Sequence, residues 1–279
     1  MAANVVKEMI EAGIHFGHRV SRWNPKMEPY ILTKRNSIHI IDPKETLKGL
    51  MAAKKFLSQV VADGKDVLLV GTKRQARQTV EDQARRTNMH FVNDRWLGGT
   101  LTNFRTIRSR LSRLEKLEQL DADGLLGLRS KKEDARLRRE MRKIKRNLDG
   151  IRNMDHLPGA VFVIDASRES NALREAKKLG IPTVGLIDTD SDPDMVDIPI
   201  PGNDDAMRAI ELVVTELCDS IEMAKQQRSD KKEEVGGDQR RRSNRPVMGR
   251  AEDAVAAAPD ESPREAVGFN EPAPPAENA

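Results

Sequence analysis

Apolar positions along the chain recur with two spacings, and the spacing changes where capping and turn residues stand. Residues 4–12 set Val5, Val6, Met9 and Ile10 on one side of a short helix that Gly13 ends. Residues 30–33 and 37–41 read as the two strands of a hairpin around Lys34-Arg35-Asn36. Asp42-Pro43-Lys44-Glu45 is a helix start: the aspartate can cap, the proline fits the first helical position and the glutamate can reach back. That helix is expected to run to about Val61. Val67-Leu68-Leu69-Val70 is a buried type of strand, followed by Gly71-Thr72-Lys73-Arg74, a helix over 75–87 and a strand over 89–92. Two apolar strands with a helix between them predict a parallel βαβ unit with a right-handed crossover. The same alternation returns late in the chain, as strand 161–165, helix 171–179 stopped by Gly180, strands 183–187 and 198–200, and a helix from 203 to about 225.

The interruption begins at Asn93-Asp94-Arg95-Trp96-Leu97-Gly98-Gly99-Thr100-Leu101-Thr102-Asn103. Gly98 and Gly99 let the backbone turn there, and Trp96 is suited to anchor the exit. Two basic helices follow. In the first, Phe104, Ile107, Leu111 and Leu114 are spaced as a coiled-coil seam; in the second, Leu137, Met141, Ile144, Leu148 and Ile151 continue it. Ser130 and Glu133 form a capping box for the return helix. Arms of roughly 20 residues would reach about 30 Å. The expected organisation is an α/β domain over 1–100 and 158–226, an inserted antiparallel hairpin over 101–157, and a disordered tail over 227–279, too poor in large apolar groups to offset its ordering entropy.

Charge adds a direction to this picture. The net charge is only +4, but residues 105–152 hold 16 basic and 8 acidic side chains, and residues 1–100 hold 17 and 10. Acidic groups gather around 188–205 and near the end of the chain. A segregated basic face points to a polyanion, against the plainer reading of a solvated, salt-bridged helix surface. The single cysteine, Cys218, lies in an apolar helix pattern, so no internal disulfide can form and a reducing, cytoplasmic setting is expected. No apolar run is long enough for a membrane span, and residues near the start do not read as a signal peptide.

Five segments carry a resemblance. Ala12-Gly13-Ile14-His15-Phe16-Gly17-His18, Trp23-Asn24-Pro25-Lys26-Met27, Val70-Gly71-Thr72-Lys73, the stretch from Arg95 to Asn103, and Ile200-Pro201-Gly202-Asn203-Asp204-Asp205-Ala206 are similar, in order, to the bacterial ribosomal protein S2 family over about residues 1–226. Gly159 and Asp194 depart from the commoner family residues, and the tail after about Arg228 is longer than in many members. The resemblance implies a flavodoxin-like, three-layer parallel sheet with a coiled-coil protrusion. It implies a structural, non-enzymatic place on small-subunit ribosomal RNA between head and body. The implied neighbours are other small-subunit proteins, notably the messenger-binding protein S1. No required cofactor and no homo-oligomer are expected.

Candidate sites follow from residue chemistry. His15, Arg19, Arg22, Trp23 and Lys26 form the densest recognition stretch, with cations for phosphates and rings able to stack on an unpaired base; packing of Trp23 against the body is the alternative. Lys73 and Arg74 sit between a strand and a helix, where a phosphate could be held, although neither a Walker A loop nor a Gly-x-Gly-x-x-Gly run is present. Arg95, Arg105, Arg108, Lys131, Lys132 and Arg139 complete the expected RNA contacts. The carboxylates at 188–194 and 204–205 read as a loop-capping acidic surface or, with His18, Asp188 and Asp205, as a site for one divalent cation, Mg²⁺ or Zn²⁺. Ser167 and Ser170 lack a nucleophile-elbow context and read as turn and cap residues. Two other functions fit less of the chain: an α/β enzyme using a nucleotide near Gly71 and Asp188, and an adaptor binding only protein through its helices.

Overall fold

The computed structural model describes residues 2–125 and 130–243, with side-chain surroundings over 6–125 and 130–228. Two units divide the chain, Met1–Gly236 and Gly237–Ala279. Of the second, residues 237–243 are helical. In the first, the order is α1 (Ala2–Glu11), β1 (Phe16–Arg19), β2 (Ile31–Arg35), β3 (Ile38–Ile41), α2 (Pro43–Ala62), β4 (Val67–Val70), α3 (Arg77–Thr87), β5 (His90–Val92), α4 (Phe104–Ala122), α5 (Lys131–Leu148), β6 (Ala160–Ile164), α6 (Ser170–Leu179), β7 (Thr183–Ile187) and β8 (Ile198–Pro201), with α7 starting at Met207.

β4 through β8 form one parallel sheet in the order β5-β4-β6-β7-β8. Its strands are short and apolar on both sides because both faces are covered, as parallel sheets require. Val67, Leu69, Phe162, Ile164 and Leu186 face a core closed by α1, α2, α3 and α7. Leu68, Val70, Val161 and Val163 face a second core closed by α6 and by the start of the helical insert. The strand order is that of a flavodoxin-like sheet, with its switch point between β4 and β6. The expected parallel α/β body is therefore present.

A separate antiparallel sheet, β1-β3-β2, lies at the N-terminal side. Its hairpin turn is one step later than the sequence suggests. Asn36 and Ser37 both have positive φ, 51° and 60°, as a two-residue turn of matching twist needs. β1 has no counterpart in the sequence pattern. Phe16-Gly17-His18-Arg19 shows no alternation, and its pairing with β3 is irregular between Phe16 and Arg19.

Asp42 caps α2 through Lys44 N, 2.9 Å away, with Pro43 first in the helix. Glu45 turns forward to Lys48 Nζ, 2.6 Å away, and not back to the cap. Ser130 accepts from Glu133 N at 3.4 Å and opens α5. α4 and α5 lie against each other along the expected apolar residues. Ile107, Leu111, Leu148 and Ile151 belong to the second core of the body, while Leu117 and Leu137, with Leu120 and Met141, form a separate cluster. The helix α7 does not end near Lys225 as expected but continues to Ser243. The remainder of the expected tail, 244–279, lies outside the described residues.

The exit to α4 is held by one carboxylate of α6. Glu175 accepts from Trp96 Nε1 at 3.1 Å, Gly99 N at 2.8 Å, Leu101 N at 3.0 Å, Thr102 N at 3.2 Å and Thr102 Oγ1 at 3.2 Å. Gly99 has φ of +90°, where a side chain is strained; the neighbouring Gly98 faces open space, so only the second glycine is required by the turn. Burial raises the Glu175 pKa, but the hydrogen bonds from Gly99, Trp96, Thr102 and Leu101 outweigh it, and the net value lies below the ordinary glutamate range. Replacing Glu175 by Ala is expected to destabilise the protein by about 3 kcal/mol in urea denaturation, since three part-buried donors, Trp96 Nε1, Gly99 N and Leu101 N, lose their acceptor together. Glu175→Gln, which keeps one acceptor oxygen, is expected to cost less. Because the native pKa is depressed, the carboxylate's contribution is complete above the unfolded-state glutamate pKa and disappears as pH falls through the native value; the Gln variant should lack that acid-range dependence.

Candidate functional site

The carboxyl ends of the parallel strands deliver polar side chains to one rim, the place where open α/β sheets usually bind ligands. β4 leads to Thr72 and Lys73, β6 to Asp165, β7 to Asp188 and Thr189, and β8 to Asp204 and Asp205. The N-terminal segment is laid across this rim. His18 N donates to Thr189 Oγ1 at 2.9 Å, Asn24 N to Thr189 O at 2.7 Å, and Asn203 N to Ile14 O at 2.9 Å.

Lys73 is buried in this rim, 9% exposed. Its Nζ lies 2.7 Å from Asp204 Oδ1, 2.6 Å from Asp205 Oδ1 and 3.6 Å from Asp165 Oδ2. Burial works against the ammonium, but Asp204, Asp205 and Asp165 outweigh it and raise its pKa. The expectation that Lys73 meets an RNA phosphate is therefore withdrawn: the side chain points inward to carboxylates, which would repel a phosphate. The same geometry removes the support for a nucleotide site at Gly71-Thr72-Lys73. Asp204 is pushed up to about 7, chiefly by burial and then by Asp188 and Asp165. His18 bridges two carboxylates, with Nδ1 2.9 Å from Asp188 Oδ2 and Nε2 3.3 Å from Asp205 Oδ2. The adjoining Asp188 carboxylate raises its pKa to about 9 against the effect of burial. The structure thus brings His18, Asp188 and Asp205 together as expected, and adds Lys73, Asp165 and Asp204.

A second cluster fills the switch point between β4 and β6. The Thr72 hydroxyl donates to Glu169, and Arg168 Nε donates to Thr72 Oγ1 at 3.0 Å. Arg77 Nε reaches Thr72 O at 3.1 Å, and Arg77 and Arg146 share Asp94 at 2.8 and 2.7 Å. These groups, with Arg95 and Trp96, line a cavity of about 410 Å³. Sequence reasoning missed Glu169, Arg77 and Arg168. Only the Asp-x-x-x-Glu spacing after β6 hinted at them.

The remaining expected contacts divide by their surroundings. Arg19, Arg22, Arg74, Arg95, Arg105, Lys131, Lys132 and Arg139 are exposed, and no carboxylate of the described residues lies within ion-pair reach of them. Arg139 Nε only touches a carbonyl of its own helix, Ala135 O, at 3.1 Å. Lys26 is exposed but paired with Asp192 and Asp194 at 2.9 and 2.6 Å. Arg108 is engaged by Met154 O at 2.9 Å and Asp155 Oδ1 at 2.6 Å. Trp23 is half-buried with its ring 5.1 Å from that of His39, and His15 is half-buried with its ring 4.1 Å from Phe16; burial lowers the His15 pKa. These last two side chains are used at least in part for local packing.

Lys73→Met is expected to destabilise the protein by about 3–5 kcal/mol in denaturant titration, because it strands buried carboxylates without their cation. Lys26→Met removes only exposed ion pairs and is expected to change stability far less.

Comparison with known proteins accounts for this arrangement. A family model described as Ribosomal protein S2 matches residues 9–224. The chain is also 58% identical over 221 residues to the Small ribosomal subunit protein uS2 of Rhodopirellula baltica, covering 79% of this chain and 85% of that relative. Shared sequence on this scale spans the sheet, the strand-end rim and the helical insert alike, and the chain belongs to the ribosomal protein S2 family.

Proposed function

We propose that this protein is a structural constituent of the small ribosomal subunit that binds ribosomal RNA between head and body through its exposed, unpaired cations. As a member of its family its role is structural, in the ribosome and in translation, and not enzymatic. No described helix is long and apolar enough to cross a membrane. The observation that carries the RNA reading is the division of charge. Lys73, at the rim where an enzyme would bind a phosphorylated substrate, is neutralised by aspartates. Arg19, Arg22, Arg74, Arg95, Arg105, Lys131, Lys132 and Arg139 stand exposed without carboxylate partners among the described residues. Cations left in solvent without partners suit a phosphate backbone, which they approach while releasing its counterions.

The α4–α5 pair serves as an inserted coiled-coil arm that extends this contact. Its apolar residues meet one another at Leu117 and Leu137, and its ion pairs, Arg113 with Glu140 and Arg138 with Asp121, cross between the helices in antiparallel order. Neighbouring small-subunit proteins are the other partners. Docking of S1 beside the chain rests on the family resemblance.

Salt titration of the full chain on small-subunit RNA tests the arm. Replacing Arg105, Lys131, Lys132 and Arg139 by Ala is expected to weaken binding and to flatten the logarithmic salt dependence by about 0.7–0.9 for each phosphate left without its cation. An unchanged slope would place the RNA on another face. Ribonuclease footprinting of subunits with and without the protein locates the protected nucleotides. Subunits assembled without it should retain less S1 after sedimentation; equal retention would remove the S1 assignment.

A further inference from the structure

Four guanidinium groups meet around the cavity at the switch point. Arg77 opens α3, Arg95 belongs to the loop after β5, Arg146 to α5 and Arg168 to the turn after β6. Four separate segments of the chain thus deliver like charges to one concavity. Two carboxylates oppose them there, Asp94 and Glu169, which leaves two positive charges in excess. A concave wall of low dielectric focuses such a field on whatever enters.

How each charge is committed decides what the cavity can hold. Arg77 is fully engaged: Nε by Thr72 O at 3.1 Å, and the terminal nitrogens by Asp94 Oδ1 at 2.8 Å and Asp94 O at 3.3 Å. Asp94 also takes Arg146 Nε at 2.7 Å, so one carboxylate is divided between two cations. The Arg168 side chain donates only through Nε, to Thr72 Oγ1 at 3.0 Å, among the described residues. Arg95 is exposed and has no ion-pair partner among them. Glu169 is 3% exposed and accepts from the Thr72 hydroxyl; burial raises its pKa, which favours its neutral form. The surplus therefore rests on Arg95, Arg146 and Arg168.

Size and lining narrow the ligand. A volume of about 410 Å³ lies within the range of small-molecule sites and exceeds what an inorganic phosphate fills. Asn171 and the indole of Trp96 complete the wall, and Trp96 Nε1 is fixed by Glu175. An amide can bond the edge of a base, and indole and guanidinium planes can stack on its face.

We propose that this cavity binds one nucleotide by its phosphate, held by Arg95, Arg146 and Arg168, and that the phosphate ties the root of the insert to the sheet. Guanidinium forks match phosphate oxygens in pairs. Arg146 is carried by the insert, Arg168 by the body and Arg95 by the loop between them, so one phosphate meeting all three spans the joint. Arg146 and Arg168 lie outside the RNA contacts proposed above. A free mononucleotide and a nucleotide of RNA present the same chemistry here.

Calorimetric titration of the full chain with adenosine 5′-monophosphate tests this. One equivalent is expected to saturate the site within about 5 mM, and adenosine to bind at least about tenfold more weakly, having no phosphate. In Trp23→Phe, which leaves Trp96 as the one tryptophan, the same titration should change the fluorescence with the same midpoint. Arg146→Gln and Arg168→Gln should each weaken binding at least about fivefold. Arg174→Gln, on an exposed face of α6 outside the cavity, should leave it unchanged. The Arg146 side chain is 70% exposed, and thermal melts show which variants are folded. Repeating the titration on the complex with small-subunit RNA separates the two sources. Lost binding assigns the cavity to a nucleotide of the RNA, and retained binding assigns it to a free one. The proposal is overturned if the monophosphate does not bind, if adenosine binds as tightly, or if both folded arginine variants bind as the parent does. Those outcomes need no RNA, so they leave the ribosomal reading standing.

Discussion

The carboxylate of Glu175 sets how this protein is built outward from its sheet. Between β5 and α4 the chain runs through a loop without regular structure from Asn93 to Asn103. In doing so it presents backbone N–H groups that no strand or helix uses. Glu175 collects those of Gly99, Leu101 and Thr102 and the indole N–H of Trp96. One anion fixed on a rigid helix thus replaces a ladder of backbone bonds. With the loop held, Trp96, Leu101 and Ile107 drop into the second core, and the first turns of α4 become part of the body.

Charge is sorted by depth around this framework. The strand-end rim is anionic and enclosed, with Asp188 and Asp204 buried beneath the N-terminal strand and Lys73 held among them. Arg19, Arg22, Arg74 and Arg95 are exposed around it. Within the insert the inner cations are paired: Arg113 with Glu140, Arg138 with Asp121 and Arg152 with Glu118. Those pairs hold the two helices in register but contribute little each, since most are exposed. Arg108, Lys145 and Arg146 are paired as well, with Asp155, Glu118 and Asp94, whereas Arg105, Lys131, Lys132 and Arg139 have no such partner among the described residues. Under the proposed function, a phosphate backbone would meet Arg105, Lys131, Lys132 and Arg139 without a competing carboxylate on the insert, while Asp188 and Asp204 of the acidic rim are enclosed.

What could be read from the sequence follows from the range over which its signals act. β4 and β6 were legible because a strand buried on both faces must be apolar throughout, and Val67-Leu68-Leu69-Val70 has no other good explanation. The apolar stripes of α4 and α5 were legible because Ile107, Leu111 and Leu114, and later Leu137 and Leu148, repeat with helical spacing, and those residues are buried. β1 was not legible, since its pairing with β3 is short and irregular and Gly17 is there to let backbone pass close to Thr189. Glu175 looked like one more polar residue on an amphipathic helix. Lys73 looked like a phosphate ligand because its neighbours in sequence suit one; its partner Asp204 is 131 residues away. Nor could sequence separate Asp204 from Asp205, adjacent residues of which one is buried and the other half-exposed. Local chemistry was readable and long-range charge was not.

An open parallel sheet offers a crevice at its switch point and at the ends of its strands, and many proteins with this strand order place a ligand there. Here the polar groups around that space are bonded to one another, and a cavity of about 410 Å³ remains beside them. Thr72, Glu169 and Arg168 tie β4 to β6, Arg77 and Arg146 close over Asp94, and the segment from Ile14 to Asn24 lies over the outer strands. Interactions that would otherwise recognise a substrate hold strands, loops and the root of the insert in fixed relation. The proposed RNA recognition is left chiefly to surfaces the sheet only supports, and a rigid body is what such surfaces need, since a basic side chain placed on a firm helix gives up less freedom when it meets a phosphate. The same tied crevice thus holds firm the outer faces to which the proposed function assigns the binding.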